Sequence, residues 1–164
     1  MKTLDFAIVM EQSIADNLQC LQHNCSDELC QLLNRLCNCQ QNFITLLQQA
    51  VSHEKNVIGL NIELAQLIGP ESEWTSHQQK FQPGAIPDIH DFTVLWTVRV
   101  MSDKAGQFYH QAASQSNQPQ LKLLLSTLAE IRRVLSHRIG AVERTVANQV
   151  WKAVGFAPGL LGKE

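Results

Sequence analysis

Four stretches of the chain repeat apolar residues at spacings of three and four. Leu4, Ala7, Ile8, Ile14, Ala15, Leu18 and Leu21 make the first stripe, and Leu29, Leu32, Leu33, Leu36, Phe43, Leu47 and Ala50 the second. Phe92, Leu95, Val98, Ala105, Tyr109 and Ala112 make the third, and Leu128, Leu135, Ile139 and Val142 lie on the fourth. This is the period of one helix face, so the pattern predicts four long amphipathic helices. Thr3 can cap the first, which runs to about Asn24. Ser26 can cap the second, with Asp27 and Glu28 well placed against its positive end. Asp88 or Asp91 starts the third, and the fourth runs from Pro119 to near Val150.

Residues 53–87 break the pattern. A short helical segment from about Val57 to Ile68 ends at Gly69-Pro70, and a polar stretch punctuated by Pro83, Gly84 and Pro87 follows. Such a length reads as a crossover that lets the next helix begin at the far end of a bundle. The expected organisation is one all-α domain over residues 1–164: hairpin 3–52, crossover 53–87, hairpin 88–150, and an apolar tail, 151–164, packed on the bundle. The halves also repeat. Met10 and Glu11 in FAIVMEQSIADNL parallel Met101 and Ser102 in VRVMSDKAGQFY, and Leu29, Leu32, Leu33 and Leu36 parallel Leu121, Leu124, Leu125 and Leu128.

Each stripe is interrupted once by a polar residue: Glu11, Gln40, Ser102 and Arg132. Four helices with one polar inward position each predict a small polar centre. There Arg132 pairs with Glu11, and Gln40 and Ser102 satisfy the remaining donors and acceptors. The alternative sends Arg132 snorkelling outward and leaves Glu11 at a solvated edge.

Composition narrows the function classes. A chain of 164 residues suits one domain with one core. The formal net charge is -2 with scattered Lys and Arg, which gives no footprint for nucleic acid. The opening MKTLDFAIVMEQ lacks the shape of a secretory signal, and no apolar run approaches the roughly 20 residues that span a bilayer. The expectation is a cytoplasmic protein with no membrane partner and five reduced cysteines. The abundant Gln and Asn leave homodimerisation, or an unidentified protein partner, open.

MSDKAGQFYHQAA, Met101 to Ala113, is similar to the Met-Glu-x-x-Ala-x-x-Phe-Tyr-x-x-Ala-Ala stretch of the rubrerythrin branch of the ferritin-like superfamily. LLSTLAE, Leu124 to Glu130, resembles the approach to that family's Glu-x-x-His motif, and the resemblance covers about residues 3–145. It implies a ferritin-like four-helix bundle. Relatives hold two metal ions with a Glu from each of the first and third helices and a Glu-x-x-His from each of the second and fourth. At the matching positions this chain has Glu11, Ser102, Gln40 with Phe43, and Arg132 with Leu135. One carboxylate, an amide and a hydroxyl make a poor donor set, and a permanent cation repels a metal. The resemblance thus implies a degenerate site with no metal or other cofactor.

The leading functional expectation is a non-enzymatic, metal-free structural or interaction module. An iron-handling protein or oxidoreductase with displaced ligands is the competing class, and thiol-based redox sensing by Cys20, Cys25, Cys30, Cys37 and Cys39 a third. Against a thiolate metal site, no Cys-x-x-Cys occurs. His137 falls about 200° away from the fourth stripe's metal position, which reads as surface, and Phe108 and Tyr109 read as packing. No Gly-rich phosphate loop or nucleophile elbow is present.

Overall fold

The computed structural model describes residues 2–53, 63–81 and 89–155, and within them all regular structure is helical. Four long helices form the body: α1 (Thr3–Leu21), α2 (Asp27–Ser52), α5 (Ile89–Gln115) and α6 (Pro119–Ala153). Two short ones, α3 (Leu64–Ile68) and α4 (Glu71–Lys80), lie in the crossover. Among the described residues, no helix is long and apolar enough to cross a membrane.

Local chemistry explains the boundaries. α1 stops at Leu21 rather than Asn24 because the chain turns there, with Asn24 in the left-handed region at φ 61°. Ser26 caps α2 as its side chain predicts, its hydroxyl accepting from Leu29 N at 3.3 Å. Pro119 occupies the first turn of α6, where its missing N–H costs nothing.

The directions of the four long helices follow from a few contacts. The short turns at 22–26 and 116–118 make α1/α2 and α5/α6 antiparallel hairpins. Asp91, in the first turn of α5, accepts from the main-chain N–H of Ser26 at 3.3 Å and from its hydroxyl, so α2 and α5 begin at the same end. α1 and α6 therefore run one way and α2 and α5 the other. That order requires a crossover spanning the length of the bundle. Asp91 is buried beneath this contact and ties two helix starts together, beyond the capping role its sequence position suggests.

Residues 63–81 of the crossover are more regular than the sequence predicts, while Pro83, Gly84 and Pro87 lie outside the described residues. α4, in a stretch expected to be polar and irregular, lies between α2 and α6. Trp74 is its buried anchor, 3% exposed, and donates through Nε1 to Ile68 O at 2.7 Å. Arg35 pairs with Glu73 at 2.7 Å, Lys80 donates to Gln31 at 2.8 Å, and Gln78 donates to Thr145 at 3.2 Å. Gln149 closes the segment by donating to Phe81 O. The expected helix from Val57 has its described part only at Leu64–Ile68, and residues 57–62 lie outside the described residues.

The tail needs correction. Trp151 to Ala153 continue α6 where a break was expected, and Trp151 and Val154 are about half exposed. Residues 156–164 lie outside the described residues.

Candidate functional site

Glu11, Gln40, Ser102 and Arg132 are all buried, each at most 3% exposed, on four different helices. The stripes predicted this: a residue in phase with an apolar face must turn inward when that face packs. Three of them meet directly. The Arg132 guanidinium donates through Nη2 to Glu11 Oε2 and to Gln40 Oε1, the latter at 2.9 Å. Gln40 Nε2 donates to the same Glu11 carboxylate and to the main-chain oxygen of Glu11 at 2.8 Å. The reading in which Arg132 snorkels outward is overturned: its side chain is 2% exposed and lies over the Phe43 ring, 4.2 Å from the centroid.

Two features depart from the sequence reading. Tyr109, assigned there to packing, donates its hydroxyl to Glu11 Oε1 at 2.5 Å and is fully buried. The available signal was chemical, since a buried phenol needs a hydrogen-bond partner and Glu11 was the nearest inward acceptor to consider. Ser102 reaches the centre but satisfies nothing there; among the described residues its Oγ has no hydrogen-bond partner. Tyr109 lies about two turns further along the same face of α5, and its longer side chain is the one that reaches the Glu11 carboxylate.

Both oxygens of Glu11 are therefore engaged, one by Tyr109 and the other by Arg132 and Gln40. A carboxylate so committed has little capacity left to ligate a metal. The adjoining void, lined by Gln40, Met101, Ser102, Arg132 and apolar neighbours, is only about 10 Å³, the space of at most one water. Tyr109's ionisation is pushed well above the ordinary range, first by burial and then by the Glu11 charge beside it.

The remaining candidates lie apart. Glu130 is exposed and pairs with Arg133 at 2.6 Å, and His137 is exposed as expected. Among the described residues, no group of three or more His, Cys, Asp or Glu is placed to hold a metal ion. The half-buried Cys30 and Cys37 lie beside Gln22, whose side-chain amide donates to Cys37 Sγ at 3.6 Å and whose main-chain oxygen accepts from Cys30 at 3.7 Å, while Cys25 donates to Leu21 O at 2.8 Å. Cys20 is exposed, while burial pushes the Cys39 thiol up to about 11. A thiol held neutral in this way is a packing residue, not a nucleophile.

Comparison with known proteins returns no match among family models, curated proteins or solved structures.

Proposed function

We propose that this chain is a metal-free bundle of the ferritin-like, rubrerythrin-like type, acting in the cytoplasm as a non-enzymatic structural or interaction module. The observation that carries it is the Arg132 guanidinium lying on the Glu11 carboxylate. A positive side chain occupies the place where relatives of that type use metal ions to balance inward carboxylates, so charge is compensated from within the sequence. The running order of the four long helices and the long crossover support the same reading, since a bundle of that type needs both. Phe6 and Val9 on α1, both about half exposed, with Phe6 against the Phe108 ring at 5.1 Å, are the face we assign to self-association or a protein partner.

Elemental analysis after incubation of the purified chain with ferrous iron, manganese and zinc separately tests the metal half of this reading. The expected content is far below one ion per chain for each metal. Near two irons per chain would overturn it and favour iron handling. Light scattering on the native chain and on Phe6→Ser with Val9→Ser tests the other half: a dimer that the double variant dissociates is expected for self-association.

A further inference from the structure

We propose that two copies of this chain associate through α1, packed antiparallel to itself across a two-fold axis at Val9. The inference rests on the self-association assigned to Phe6 and Val9 above, and adds the partner's orientation and the charges that set it. At about 100° per residue, Val9 points away from the face that buries Leu4, Ala7, Glu11 and Leu18. Phe6 flanks it, and the two are 47% and 58% exposed. Val9 thus lies on the centre line of the outward face of α1.

The charges on that face are arranged symmetrically about Val9. Lys2 lies seven residues before it and Asp16 seven after, each about two turns away and within roughly 20° of it around the helix. Both are exposed. Lys2 is the cap residue of α1 and its carbonyl accepts from Phe6 N at 3.1 Å, which sets it in register with the helix. Turning a second α1 end for end about Val9 brings Lys2 opposite the partner's Asp16, and Asp16 opposite the partner's Lys2. Asp5 then meets the partner's Ser13, a neutral residue whose small side chain leaves room for the Phe6 ring beside it.

Electrostatics selects the orientation. A parallel pair of the same faces sets Lys2 against Lys2, Asp5 against Asp5 and Asp16 against Asp16, three like-charge contacts where the antiparallel pair has two unlike ones. Exposed ion pairs contribute little each, so the apolar centre holds the copies together and the charges choose the direction. The contact is also closed: both copies use the same patch, so association stops at two.

The test is sedimentation of the full chain over a range of concentrations, with charge reversals at the two ends of the face. Lys2→Glu and Asp16→Lys each set like charges together at both ends and are expected to raise the dimer dissociation constant by about tenfold. Combined, the two reversals restore unlike pairs and should return it to within about twofold of the parent. Cross-linking reads the orientation, in a Cys20→Ser background that removes the exposed native thiol. Copper-catalysed oxidation is expected to link Val9→Cys to itself, and Asp5→Cys only when it is mixed with Ser13→Cys. All of these positions are exposed, so the substitutions leave the core and its folding untouched. Self-linking of Asp5→Cys, or a double reversal as weak as the single ones, would overturn the antiparallel arrangement while leaving self-association standing. A parent chain that stays monomeric at every concentration would overturn both.

Discussion

Arg132 and Glu11, 121 residues apart in the chain, form a salt bridge at 2% and 0% exposure, and the same guanidinium covers the ring of Phe43. Neither charge has access to bulk water, so each depends on the other for solvation. Gln40 bridges them, accepting from Arg132 and donating to Glu11.

Replacing Arg132 with leucine leaves the Glu11 charge without its partner, and the expected loss is about 3–5 kcal/mol in urea unfolding. Glu11→Gln combined with Arg132→Met removes both charges while keeping volume, and should recover part of that loss. A leucine variant as stable as the parent would mean that the pair contributes nothing.

The sequence contains a single tyrosine, so tyrosinate absorbance reports Tyr109 alone. An alkaline titration should show no ionisation near the ordinary value of about 10, with the signal rising only as the chain unfolds. The sign for stability follows from linkage. The folded state holds the Tyr109 proton more tightly than the unfolded state, so this contribution is full below the unfolded value and is lost as pH rises above it. Tyr109→Phe should remove that alkaline slope and, by stripping a donor from Glu11, cost about 1–3 kcal/mol at neutral pH.

Gly69 sits at φ 78° in the turn between α3 and α4, where Arg138 Nη1 donates to its carbonyl at 2.9 Å. A Cβ there would collide with Arg35 Nη2 and Glu73 Oε2, the two sides of the ion pair that ties α4 to α2. Gly69→Ala therefore combines backbone strain with a broken contact and should cost more than about 1 kcal/mol. Hydrogen exchange is expected to rise first in α4, ahead of α1 or α5.

Thiol labelling should resolve the cysteines by environment. At about pH 8 the exposed Cys20 is expected to alkylate first. Cys39, whose thiolate is suppressed by burial to a value of about 11, should stay unmodified until the chain unfolds. Rapid labelling of Cys39 in the native state would contradict its 1% exposure.

The periodicity of the sequence carried the four long helices and the inward placement of Glu11, Gln40, Ser102 and Arg132, because a helix in phase with its neighbours has only one way to face them. It did not carry α4. ESEWTSHQQK has a single large apolar residue, and its helix is held from outside by Trp74 and by side chains of α2 and α6. Nor did it distinguish Tyr109 from Ser102 as the α5 residue that reaches Glu11, because the stripe fixes direction while side-chain length fixes contact. The extension of α6 to Ala153 passed unseen because Gly155 and the proline after it suggested an earlier break.

The polar centre is divided unequally between the two halves of the repeat: the first hairpin contributes Glu11 and Gln40, the second Arg132 and Tyr109. Two copies of the first half brought together would oppose carboxylate with carboxylate, and two copies of the second would oppose guanidinium with guanidinium. Only the mixed pairing neutralises the interior. A chain cut within the crossover should accordingly reassemble from unlike fragments alone, so that a duplicated architecture has become, in its core, an obligate heterodimer written on one polypeptide.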